Sequence, residues 1–122
     1  MQIGELSRRS GVSQRMLRYY EQQGLLRPAR TEAGYRDFGE AELQAALRIR
    51  LLSASGLKLD AIQVLLPCMV DGPGVFDACD PIRATLQQEL ARLDHHLHAL
   101  AESRRIVASY LEGLEERPAS RP

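Results

Sequence analysis

Arg15, Arg18 and Gln22 recur at i, i+3 and i+7, with Gln14 adjoining them. On an α-helix this spacing gathers guanidinium and amide donors on one face. Arginine can grip guanine or a phosphate through two parallel hydrogen bonds and glutamine can address adenine, so the chemistry suits a groove of double-stranded DNA. Gln14 and Arg15 are the candidates for base edges, and Arg18 is the phosphate candidate. Tyr19 lies one turn from Arg15, where its hydroxyl would meet a phosphate, whereas Tyr20 shares the side of Leu17 and belongs to the core. A charged helix face is more often simply solvated, so the residues around it must decide.

Those residues supply a second basic element and a scaffold. Arg18-Tyr19-Tyr20-Glu21 is followed by Gly24-Leu25-Leu26, then by Arg27, Arg30 and Gly34-Tyr35-Arg36. Gly34 permits the tip of a hairpin that the arginines surround and Tyr35 flanks, a shape able to hold DNA backbone. Leu26 and Phe38 would seat that hairpin on the preceding helices. Upstream, Ile3, Leu6 and Val12 keep helical spacing, Gly11 marks a turn, and Ser13 is placed to cap the next helix. The order is that of a helix-turn-helix followed by a wing.

On these residues the chain resembles the MerR family of bacterial transcription regulators, whose amino-terminal winged helix-turn-helix carries this Arg-Tyr-Tyr-Glu sequence and Gly-Tyr-Arg wing. Gly56-Leu57-Lys58-Leu59, with Ile62, Leu65 and Leu66, is similar to the second helical pair of that family. The resemblance covers roughly the first half of the chain. It implies DNA contacts at Arg18, Tyr19, Tyr35 and Arg36, and at Arg30. It also implies a dimer of antiparallel helices on promoter DNA, bending and untwisting an overlong spacer for RNA polymerase. Such a deformation requires energy from added contacts and a signal that biases two arrangements of the heads.

The 122 residues, 44% of them hydrophobic, suffice for one small core and an extension, not for a large catalytic domain. No clustered nucleophile and base, and no phosphate-cradling loop, point to an enzyme. Formal net charge is zero. Its distribution is uneven: residues 1–58 hold 10 Lys and Arg against 6 Asp and Glu, or +4, and residues 59–122 hold 6 against 10, or −4. The basic half can neutralise phosphates, and the acidic half is repelled by them. Fifteen of the 16 basic residues are arginine, Lys58 being the exception, a bias that a GC-rich genome explains as well as function does. With no apolar signal segment and no run long enough for a membrane, the expected location is the cytoplasm, where Cys68 and Cys79 would be reduced thiols or ligands.

The periodicity predicts a mainly α fold: helices over 2–9 and 13–22, a hairpin wing over 25–37, helices over 40–53 and 58–66, and one long helix from Asp80 to about Leu114. The domains expected are a winged helix-turn-helix with its second helical pair over 1–66, a Pro- and Gly-containing linker over 67–79, a dimerisation helix over 80–114, and a disordered tail over 115–122. Asp80-Pro81 has the chemistry of a helix start. Within the long helix Leu86, Leu90, Leu93, Leu97, Leu100, Val107, Leu111 and Leu114 alternate steps of four and three, Arg104 taking one seam position. At 1.5 Å per residue this stripe is about 43 Å long and needs a partner helix, best supplied by a second copy of the chain. Two heads related by a twofold axis call for a near-palindromic operator.

Cys79 lies just before the dimer helix, where the resemblance implies a metal-coordinating cysteine in the metal-sensing members. Those members complete the site with a cysteine-bearing loop after the long helix; residues 115–122 contain neither Cys nor His. Cys68 could substitute, two thiolates from each subunit making a bound metal ion feasible. The same thiols could instead sense oxidants, or be small buried residues at a junction. His95, His96 and His98 fall off the leucine seam and read as a solvated face rather than as a His95 and His98 metal pair. The resemblance implies that larger members hold organic effectors in a domain beyond the coiled coil, so a bulky organic effector is not expected here, a pocket at the dimer junction being the alternative. Two alternatives stand beside an effector-controlled regulator: a DNA-binding regulator with no effector, and a coiled-coil protein-interaction module.

Overall fold

The computed structural model describes residues 1–69, 76 and 80–117. Their elements are α1 (Ile3–Ser10), α2 (Gln14–Gln22), β1 (Ala29–Arg30), β2 (Arg36–Asp37), α3 (Glu40–Ala54), α4 (Leu59–Leu65), a single 3-10 turn (Leu66–Cys68) and α5 (Asp80–Glu116). They fall into two compact units, Met1–Leu86 and the chain from Gln87 onward.

The turn between α1 and α2 is built from small residues. Gly11 closes α1 at φ 76°, its N–H donating to the Ser7 carbonyl. A Cβ there would also stand 2.6 Å from Nη1 of Arg50, which donates to the Ser10 carbonyl at 3.2 Å. The left-handed backbone favours glycine here, and a larger residue would also have to displace the end of the Arg50 side chain. The Ser7 hydroxyl donates to the Val12 carbonyl at 2.7 Å, and the buried Ser10 hydroxyl accepts from the Val12 N–H at 3.2 Å. Ser13 then caps α2, its Oγ accepting from the Met16 N–H. These bonds orient α2 relative to α1 before any core contact is counted.

The wing is a short antiparallel ladder in which Ala29 faces Asp37 and Arg30 faces Arg36. At its tip the Gly34 N–H donates to the Thr31 carbonyl at 2.8 Å, and Gly34 takes φ 85°. Only two residues pair on each strand, so side chains must hold the hairpin in place. Leu26 and Phe38, each 1% exposed, anchor its two ends in a core shared with Leu6, Leu17, Ile49 and Leu65. At the start of α3 the Glu42 carboxylate accepts from the Gly39 N–H at 2.9 Å.

Tyr20 is buried in this core. Burial, and secondarily the neighbouring Tyr19 phenol, pushes its hydroxyl above the ordinary tyrosine range, so it stays neutral at physiological pH. The expected linker opens differently from a plain loop. Leu66–Cys68 continue α4 as a 3-10 turn, and Met69 is buried and pairs with Phe76 in an isolated antiparallel bridge. Pro67 fits because the first positions of such a turn need no N–H donor. Residues 70–75 and 77–79 lie outside the description, as do 118–122 of the expected tail. Asp80 is the first residue of α5, where its carboxylate favours the helix N-terminus, and Ile82 is buried in the head's core. The helix runs to Glu116, two residues past the expected end.

Candidate nucleic-acid interface

Leu17 and Tyr20 turn one side of α2 into the core, which leaves Gln14, Arg15, Arg18, Tyr19 and Gln22 exposed. The Arg18 guanidinium approaches the Gln14 carbonyl oxygen at 3.5 Å. One turn on, Glu21 faces the wing. Its carboxylate accepts from Nε of Arg36 at 2.5 Å and lies 3.9 Å from Nη2 of Arg30. Arg30 also donates through Nη1 to the Gly34 carbonyl at 3.2 Å, and the Tyr35 N–H donates to the Thr31 hydroxyl. The Arg30 guanidinium is thereby held against the tip of the hairpin, while Tyr35 is 71% exposed.

The N-terminal segment joins this arrangement. The Met1 amino group donates to Asp37 Oδ1 at 2.9 Å and to the Phe38 carbonyl at 2.5 Å, and the Phe38 N–H returns a bond to the Met1 carbonyl. Gln2 and Ile3 are therefore carried beside α2 and the wing.

Between them opens a cleft of about 450 Å³ lined by Arg18, Arg30, Tyr35 and Arg36 together with Gln2, Ile3 and Gly34. Three arginines, a phenol and an amide gather there the kind of hydrogen-bond donors that suit phosphate oxygens. Of the seven residues expected at the interface, four thus share one cleft. Gln14 lines a neighbouring depression of about 590 Å³ with Gln2, Gly4, Glu5, Ser7 and Arg8. Arg15 and Tyr19 line neither, though both are exposed on α2. Three residues at this surface escaped the sequence reading. Glu21 was visible only as part of the Arg-Tyr-Tyr-Glu motif, and nothing in the sequence pointed to Arg8 or Gln2.

The cysteines divide. Cys68 ends the 3-10 turn half-buried against the core. Cys79 lies outside the described residues. Among the described residues no three His, Cys, Asp or Glu side chains are grouped as a metal site, and His95, His96 and His98 are exposed on α5. Among those residues, too, no helix is long and apolar enough to cross a membrane.

Beyond the head, α5 exposes Leu90, Leu97, Leu100, Val107, Leu111 and Leu114, while Leu93 is half-buried. Glu89 with Arg92 and Glu102 with Arg105 form ion pairs at i, i+3 along the same helix.

Comparison with known proteins agrees with this geometry. The profile of the MerR HTH family regulatory protein matches residues 1–67. Heavy metal-dependent transcription regulator 2 of Rhizobium meliloti is 35% identical over 108 residues, 88% of this chain and 71% of that protein. Among solved structures, the transcription regulator PbrR691 from Ralstonia metallidurans in complex with lead(II) superposes with a TM-score of 0.73 at 29% identity, covering 100% of this chain and 91% of that one. HiNmlR, a MerR family regulator lacking the sensor domain and bound to promoter DNA, gives 0.54 at 25% identity over 88% of this chain and 78% of that one. The chain belongs to the MerR family of helix-turn-helix regulatory proteins and is a DNA-binding transcription regulator, not an enzyme.

Proposed function

We propose that the protein acts as an antiparallel homodimer on a near-palindromic promoter operator and distorts that DNA for RNA polymerase in response to a metal ion. The observation that carries the DNA-binding part is the cleft that unites Arg18 of α2 with Arg30, Tyr35 and Arg36 of the wing. In this reading Arg18, Arg30 and Arg36 hold phosphates and Tyr35 adds a hydroxyl. Arg15 and Gln14 read base edges, and Tyr19 meets the adjoining backbone. The exposed apolar seam of α5, Leu86 to Leu114, pairs with the same seam of a second copy.

The test is an anisotropy titration against an operator that the protein itself selects from a random duplex library. Arg18→Ala is expected to weaken binding to all duplexes by a similar factor and to flatten the slope of log K against log salt by about 0.9. An unchanged slope would remove Arg18 from the phosphate contacts.

The metal part draws support from relatives named for heavy-metal dependence and from the lead(II) complex of a similar regulator. Thiolates suit soft or borderline ions, and Cys68 and Cys79 are the two thiols of the chain. Two thiolates fit such an ion only where further ligands complete its shell, so the site is assigned to the dimer, one pair from each copy. When bound, the ion would cross-link the segments that carry the two cysteines. Elemental analysis of protein purified without chelator and re-exposed to copper, zinc or lead should find retained metal, lost in the Cys68→Ser/Cys79→Ser variant. No retained metal would leave a regulator without a thiolate-bound effector.

A further inference from the structure

Glu21 is an acidic residue on the surface that must approach DNA phosphates, and its position has a local physical cause. Its side chain is 18% exposed, whereas those of Arg36 and Arg30 are 44% and 54% exposed, so the carboxylate sits beneath two outward guanidinium groups. Arg36 reaches it through Nε at 2.5 Å. Arg30 spends Nη1 on the Gly34 carbonyl and turns Nη2 toward the same carboxylate. The ladder between β1 and β2 is only two residues long and both strands are exposed. Such a ribbon has few bonds of its own to fix the direction in which its arginines point.

We infer that Glu21 is a positioning residue for operator discrimination: it ties both wing arginines to the recognition helix α2, so that backbone contacts and base contacts are made in one register. This rests on the DNA-binding reading above. The carboxylate has a second effect, because it offsets one positive charge at the interface and so lowers affinity for DNA of any sequence. Discrimination and non-specific affinity are therefore set in opposite directions by the same side chain. A merely structural ion pair would weaken both kinds of binding together.

The experiment compares Glu21→Gln, Glu21→Asp and the unmodified full-length chain on the self-selected operator and on a shuffled duplex of equal length. Glu21→Gln keeps the shape and removes the charge. Non-specific affinity is expected to rise about fivefold near 0.15 M salt, with the salt slope steeper by about 0.9. The ratio of operator to shuffled affinity should fall about threefold to fivefold, the scale of a partly exposed ion pair. The melting midpoint should stay near that of the unmodified protein, and Glu21→Asp should restore part of the ratio. An unchanged ratio in Glu21→Gln would overturn the positioning role. So would a parallel loss of both affinities with a lowered midpoint and an unchanged slope, which marks simple destabilisation. Failure of the unmodified chain to prefer any duplex would instead overturn the DNA-binding reading itself.

Discussion

Replacing Leu97 and Leu100 together by glutamate is expected to turn the proposed dimer into a monomer and to weaken operator binding by a factor of about 10² to 10⁴. Both side chains stand 68% exposed at the middle of the α5 seam, where the chain itself offers them no cover. Burying a leucine fully is worth about 1.5–3 kcal/mol, and two substituted positions recur in both copies. Four carboxylates facing one another in the seam would add repulsion to that loss. The large effect on DNA follows from linkage of the heads: one head on a half-site binds alone, whereas two joined heads bind the second half-site at high effective concentration. Sedimentation equilibrium gives the mass and anisotropy gives the affinity. The head should melt as before, since its core residues lie elsewhere. A variant that remains dimeric would show that the seam was assigned to the wrong face.

Phe38→Ala should lower the stability of the head by about 3–5 kcal/mol, the range for emptying a buried aromatic site. Phe38 is 1% exposed and among the largest fully buried side chains of the chain. Its backbone also receives the Met1 amino group on its carbonyl and gives its N–H to the Met1 carbonyl. A cavity there undermines the core, the base of the wing and the N-terminal segment together. For a unit of this size each kcal/mol moves the melting midpoint by about 4–8 °C, so the midpoint should fall by roughly 15–30 °C. Natural domains hold only about 5–15 kcal/mol in all, so the variant should also be proteolysed more readily at its wing. A fall of under about 1 kcal/mol in urea titration would mean that the wing folds independently of Phe38.

Periodicity was enough to place α1 and α2, because Leu6, Leu17 and Tyr20 must share an inner face while Arg15 and Arg18 cannot. Special residues were equally legible: Gly11 and Ser13 each answer a local backbone need, and the structure shows a left-handed turn at one and a cap at the other. The Leu66–Cys68 turn was not legible, since a proline after an apolar run ends a helix in sequence terms and says nothing of the one turn that burial of Met69 still stabilises.

By itself the sequence determined the element order, the basic head and the apolar seam of α5, because each depends on spacing along the chain and on charge counted within short segments. Only the tertiary structure decided that Arg18, Arg30, Tyr35 and Arg36 share a cleft, that Gln2 joins them and that Glu21 lies beneath two wing arginines. Gln2, α2 and the wing come together from positions as much as 34 residues apart in sequence, and no periodicity links them. They meet because Leu26 and Phe38 fold the hairpin back onto the first two helices, and side-chain geometry then selects which charge finds which partner.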